Sequence, residues 1–301
     1  MKSKFALVLL VLLMTISGCS NNSETTKEYS GKVVIAGKPM TEQYILVEIL
    51  SQLIEAKTDL EVEQKQGIAG GTSNIHPAME KGEIDIYPEY TGTGWLFVLK
   101  EDLINDPQEL YEAVKKAYSE EYNITWSGLY GFNDTYALAI QNDVAMEYGI
   151  ETYSDLGEYS SELRFGAEYD FYEREDGYPG LVDLYGFDFN EKAELDIGLK
   201  YQAIGTDQVD VINAFSTDAK LKEYNLLVLE DDKLFFPSYF AATLIRNETL
   251  EEYPELEEVI EMLTGTISND EMTEMNYMVE IENVDAKDVA AKFLADKGLV
   301  E

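Results

Sequence analysis

Basic residues are scarce in this chain: 22 Lys and Arg stand against 59 Asp and Glu, leaving a formal charge of −37 over 301 residues. A nucleic acid or an anionic lipid surface would be repelled by such a field rather than bound. Histidine is present once, at His76, which excludes chemistry that needs several imidazoles. Cysteine is also present once, at Cys19, so no disulfide can form within the chain. Long hydrophobic runs are missing as well. The segment 5–14 (FALVLLVLLM) is too short to cross a bilayer as a helix, and no stretch of about 18 apolar residues follows it. No G-x-x-x-x-G-K-[ST] phosphate loop occurs, since neither Gly31-Lys32 nor Gly37-Lys38 continues to Ser or Thr. A P-loop ATPase is therefore excluded. What is abundant is apolar and aromatic: 45% hydrophobic residues, 12% aromatic and 21 tyrosines. That is enough to bury the cores of roughly two domains, and too aromatic for a disordered acidic segment.

Lys2 and Lys4 before the apolar segment 5–14 give the layout of a secretory signal, expected over 1–18 and removed on export. Ile16-Ser17-Gly18-Cys19 resembles the lipobox of bacterial lipoproteins, which implies cleavage before Cys19 and a lipid on its sulfur. Residues 19–30 lack any apolar period and read as a flexible tether. The mature protein is expected to be extracytoplasmic, anchored to the membrane without crossing it, and monomeric.

Strand-like and helix-like segments alternate through the body. Val33-Val34-Ile35-Ala36 reads as a strand, and Leu46, Ile49, Leu50, Leu53 and Ile54 follow at helical spacing. A strand over 60–66, a glycine loop over 67–71, a helix through Ala78 and an alternating strand over 83–87 come next. A helix carrying Tyr111, Val114, Lys115 and Tyr118 on one side precedes a second series that starts at Tyr136. Its later strands are expected over 163–167, 209–214 and 226–229, another over 240–245, and amphipathic helices near 252–264, 268–279 and 286–296. The βαβα order implies an α/β fold with largely parallel sheets covered by helices on both faces.

Six motifs then carry a resemblance. They are Gly37-Lys38-Pro39-Met40-Thr41-Glu42-Gln43, the run from Gly82 to Thr93 (GEIDIYPEYTGT), Gly131-Phe132-Asn133-Asp134-Thr135-Tyr136-Ala137, Arg174-Glu175-Asp176-Gly177-Tyr178-Pro179-Gly180, Phe215-Ser216-Thr217-Asp218 and Phe235-Phe236-Pro237-Ser238-Tyr239. In this order, across about 32–298, the chain resembles the substrate-binding proteins of ABC importers for glycine betaine, proline betaine, carnitine and choline. The resemblance implies a two-domain periplasmic-binding-protein fold of type II-like build, with two mixed or parallel sheets joined by two hinge strands. Domain 1 would comprise 31–131 plus 237–301, and domain 2 would comprise 132–236. It implies a permease and a separate ATPase as partners, with no cofactor, no metal and no catalytic residue.

The ligand class explains the residue types. A trimethylammonium group has a permanent charge but no N–H to donate, and aromatic faces attract it by about 0.5–2 kcal/mol each once water is excluded. The positions that match the family's aromatic cage are Tyr90, Tyr136, Phe215 and Tyr239, with phenylalanine at 215 where the family often has tyrosine. Asp134 matches a position near the ammonium. Lys38, Thr93 and Arg174 match positions that provide donors for a betaine carboxylate, which favours a betaine over choline. Selectivity for choline or carnitine stays open, and so, more distantly, does a surface hydrolase using a pair of the many carboxylates. His76, Trp95 and Trp126 are read as structural.

Overall fold

The computed structural model describes residues 29–168, 171–172, 177–195 and 199–300. The signal segment, Cys19 and Arg174 lie outside the described residues. The fold is α/β, with two mixed five-stranded sheets flanked by helices.

The first sheet contains β1 (Gly31–Ala36), β2 (Leu60–Lys65), β3 (Ile86–Tyr90), β4 (Ile124–Asn133) and, far along the chain, β10 (Phe240–Arg246), in the order β2-β1-β3-β10-β4. The second contains β5 (Tyr136–Gln141), β6 (Arg164–Ala167), β7 (Glu191–Glu194), β8 (Val211–Phe215) and β9 (Leu226–Val228), in the order β7-β6-β8-β5-β9. The sheets share one plan. Three parallel strands are followed by an antiparallel return strand, β10 in one and β5 in the other. Each return strand begins where the chain crosses from one sheet to the other, so the two crossings lie next to each other.

Helices close both faces of each sheet. On one face of the first, Ile45, Leu46, Ile49, Leu50 and Leu53 of helix Thr41–Lys57 are fully buried with Val33, Ile35 and Ile245. Tyr118 and Trp126 fill the other face with Tyr87 and Leu244. Helices Asn269–Glu280 and Ala286–Asp296 pack on helix Thr41–Lys57 and so belong to the first sheet. The first of them starts at a capping box in which Ser268 and Glu271 satisfy each other's backbone N–H. Helix Pro107–Tyr122 starts at Asp106, whose carboxylate accepts from Glu109 N, with proline at the first helical position.

Three strands differ from the sequence reading. The alternation over 83–87 points to a strand that in fact runs over Ile86–Tyr90, with all five residues buried. Asp85 precedes it and uses its side chain to accept from Val34 N and to pair with Arg246. Pro88 sits inside this strand, which pairs with β1 only at Ile35 and with β10 along its whole length. β4 went unread because its ten residues include Gly128 and Gly131 and its exposure does not alternate. β7 (EKAE) is a short charged edge strand with no apolar signal.

Candidate functional site

The site forms where β1, β3 and β8 end and the two crossings meet, the usual place for ligands at the carboxyl ends of strands in α/β sheets. The crossings are tied together by hydrogen bonds. Tyr239 N donates to Asn133 Oδ1 (2.6 Å), Asp134 N to Tyr239 O (3.2 Å), and Thr135 Oγ1 to Pro237 O (2.9 Å). Ser216 Oγ donates to Asn133 O (2.6 Å), and Asn269 Nδ2 donates to the same carbonyl (3.1 Å).

A cavity of about 220 Å³ opens there, lined by Thr41 and Glu42 of the first helix, Asp134 of the crossing, Phe215 and Thr217 after β8, and Asn276 of helix Asn269–Glu280. Both sheets and a crossing contribute. The volume lies below the roughly 300–1,000 Å³ of drug-sized sites, which suits a small metabolite.

The sequence-predicted residues reach this cavity to different degrees. Phe215 and Asp134 line it directly. Tyr136 faces Phe215 across the β5–β8 ladder, and their rings stack at 4.7 Å and 30°. Phe236 and Phe171 stand behind Tyr136 at 5.8 and 6.1 Å. Phe215 is 41% exposed, unusual for so large an apolar group at the end of an otherwise buried strand. Tyr90 is buried at the end of β3, and its hydroxyl donates to Glu42 Oε1 (2.5 Å) and accepts from Gln43 Nε2 (3.1 Å). Tyr239 packs half-buried on the first core, its ring against Gly92.

Lys38 is not a bare cation. Its ammonium pairs with the fully buried Glu89 carboxylate and lies 4.6 Å from the centroid of the Tyr90 ring. Glu89 is held in turn by Thr72 Oγ1 (2.6 Å). A ligand without a carboxylate would therefore not leave Lys38 unpaired, contrary to the reasoning that favours a betaine over choline. Thr93 begins the π-helical turn Thr93–Leu99 half-buried, outside the cavity lining. His76 is buried against Tyr118 and Tyr122, and Trp126 is fully buried.

Sequence reasoning missed Glu42, Thr217 and Asn276. Burial, reinforced by the charge of Asp134, pushes the Glu42 carboxyl up to about 8, against the lowering pull of Tyr90, Thr217 and Asn276. Burial also pushes Asp134 up to about 6, opposed by the hydrogen bond that Thr217 Oγ1 donates to its Oδ1 (2.9 Å). Both shifts mark carboxyl groups that are short of positive charge.

Two α/β lobes joined by paired crossings, with a small aromatic and acidic cavity between them, define the class of two-lobed solute-binding proteins. The chain belongs to the OpuAC family, the substrate-binding domain of ABC-type glycine betaine transport systems, whose model matches residues 31–296. It is 46% identical over 267 residues to the ergothioneine transport permease/ergothioneine binding protein EgtU of Helicobacter pylori G27, covering 89% of this chain but only 48% of that protein. The chain thus spans about half of that relative's length. It is 37% identical over 312 residues to the carnitine transport binding protein OpuCC of Listeria monocytogenes, covering 100% of this chain and 99% of the relative. A crystal structure described as a glycine betaine/carnitine/choline ABC transporter superposes with a TM-score of 0.83 at 35% identity, over 89% of this chain and 100% of the other. The family is one of transport substrate-binding proteins rather than enzymes. Among the described residues no helix is long and apolar enough to cross a membrane.

Proposed function

We propose that this chain captures a trimethylammonium betaine between its lobes and delivers it to an ABC permease, acting outside the cytoplasm as a lipoprotein held by Cys19. The observation that carries the reading is the convergence, on one cavity, of the exposed Phe215 ring stacked on Tyr136 with the buried carboxyls of Glu42 and Asp134. Aromatic faces attract a cation that cannot donate a hydrogen bond, and the carboxyls add negative potential. Tyr136, Phe215, Tyr90 and Tyr239 form the cage, with Asp134 beside the ammonium. Lys38, Thr93 and Arg174 serve the carboxylate end, Lys38 as part of its pair with Glu89.

Glycine betaine and proline betaine satisfy this site with the fewest atoms, and the small cavity favours them. A second reading has an observation of its own: the 46%-identical relative is named for ergothioneine. Ergothioneine, a trimethylammonium betaine with an imidazole-thione ring, would bring the same cation to the cage on a larger body.

Calorimetric titration of the chain beginning after Cys19 with glycine betaine, carnitine, choline and ergothioneine tests the reading. At least one betaine is expected to bind at micromolar concentration, and Tyr136→Ala is expected to weaken it about 3- to 30-fold, the size of one cation–π contact with its packing. Unchanged affinity in Tyr136→Ala, or silence from every ligand, would refute the cage.

A further inference from the structure

Phe215 is held by a carboxylate three residues further along the chain. In the β5–β8 ladder Ser216 N donates to Thr135 O (3.0 Å), so Tyr136 and Phe215 form the next, non-hydrogen-bonded pair, the kind that brings two side chains closest. Phe215 N therefore points away from β5, toward β6. That neighbour cannot accept it, because β6 pairs with β8 no further than Ile212 and ends at Ala167. Asp218 supplies the acceptor instead: Phe215 N donates to Asp218 Oδ2 (3.1 Å), while Asp218 N donates to Phe215 O (3.1 Å). The turn is closed through main chain and side chain together.

The accepting oxygen is itself held. Tyr201, in helix Lys200–Gly205, donates its hydroxyl to the same Asp218 Oδ2. Burial, and after it the Asp218 charge, push that hydroxyl above its ordinary range, so it stays protonated and remains a donor. Tyr201 is 4% exposed and lies outside the cavity lining, whereas Asp218 stands on the cavity wall beside Phe215. A ring as exposed as that of Phe215 gains little orientation from packing, and its stacking on Tyr136 at 4.7 Å is only as fixed as the backbone beneath it. We propose that Asp218, braced by Tyr201, is the positioning residue that keeps the Phe215 ring in register with Tyr136, so that the two aromatic faces meet the ammonium as a pair. This inference rests on the cage reading above and deepens it.

The test is a double-mutant cycle between Tyr201 and Phe215, read as the affinity for whichever of glycine betaine, carnitine and ergothioneine binds the wild-type chain most tightly. Tyr201→Phe removes one oxygen away from the cavity wall and leaves the charge of the wall unchanged. It is expected to weaken binding about 3- to 10-fold, the scale of one hydrogen bond. In a Phe215→Ala chain, where no ring remains to be positioned, the same substitution is expected to change affinity by less than about twofold. Asp218→Asn keeps an oxygen for both donors and is expected to retain more affinity than Asp218→Ala, which keeps none. A Tyr201 that served only the stability of its lobe would cost the same affinity in both chains. Equal losses from Tyr201→Phe with and without the Phe215 ring, or wild-type affinity in Tyr201→Phe, would overturn the positioning role while leaving the cage intact. Binding of none of the three ligands by the wild type would overturn the cage reading and this inference together.

Discussion

At the scale of single residues, the free site is out of electrostatic balance. Glu42 is pushed up to about 8 and Asp134 up to about 6, chiefly by burial. Other groups act on the pair from several sides. Tyr90 donates to Glu42, the Lys38 charge lowers Asp134, Asp218 raises it, and Glu280 shares the cavity wall. A folded-state carboxyl raised from 4.5 to about 8 binds protons that the unfolded chain has released. The native state therefore carries the extra proton within that window, and stability of the free protein falls as pH rises through it. A permanent cation in the cavity favours the ionised carboxyls, so betaine binding releases protons. Affinity is expected to increase from pH 6 to pH 8 and to level off above. Measured by thermal unfolding, the shift in melting temperature given by saturating betaine should be larger at pH 8 than at pH 6. Glu42→Gln should flatten much of that dependence. The pH profile also bears on why Glu42 escaped sequence reading. It is one of 59 acidic residues and stands in the first turn of a helix, where an acid is ordinary. What distinguishes it is burial among residues from four distant segments, Tyr90, Asp134, Thr217 and Asn276, and no local pattern records that.

At the scale of elements, the proposed cage depends on how the crossings pack. Gly92 has an ordinary helical φ of −63°, so it is not needed for its backbone freedom. It is needed for room: a Cβ there would stand 2.7 Å from the Ser238 carbonyl oxygen and 2.7 Å from Cε1 of Tyr239. Backbone on one side and the Tyr239 ring on the other leave little scope for yielding. Gly92→Ala is expected to displace Tyr239 and the second crossing, weakening betaine about tenfold or more and lowering the melting temperature by several degrees. Calorimetry with thermal unfolding would check both, and unchanged affinity would show that Tyr239 is not part of the cage. Much of this frame was legible in the sequence. The alternation of strands and helices, helix Thr41–Lys57 with its apolar stripe, and the aromatic motifs at the ends of β3, β5 and β8 were all readable, because each is a local pattern. The misreadings share one cause. β3 is buried on both faces and contains Pro88, β4 is broken by two glycines, and β7 is polar, so the neighbours rather than the residues make them strands. Likewise, Lys38 reads as a free donor until the fold brings Glu89 to it across 51 positions.

At the scale of the whole molecule, helix Asn269–Glu280 does the bridging. It packs with the first lobe through Met272 and Met275, supplies Asn276 to the cavity, and reaches the second lobe through the Asn276–Thr217 hydrogen bond and the Glu274–Lys222 pair. A ligand held by Phe215 on one lobe and Glu42 on the other shifts the population of lobe arrangements by whatever difference in affinity it has between them. Around that site stands a formal charge of −37, whose field acts differently on ligands of different net charge. A betaine is neutral overall and responds only to the gradient of the field across its own dipole, whereas choline carries a full positive charge and responds to the potential itself. Salt screens that potential, with a Debye length of about 30 Å at 0.01 M falling to about 3 Å at 1 M. In stopped-flow measurements, the association rate of choline is therefore expected to fall several-fold between 0.01 and 1 M salt, while that of a betaine changes by less than about twofold. A betaine rate that fell in parallel with choline's would show that the acidic surface steers the ammonium end alone and that the carboxylate is screened before it enters. On the proposed betaine reading the ligand is neutral as a whole, so the acidity of the chain is expected to cost its capture little in dilute buffer or in brine.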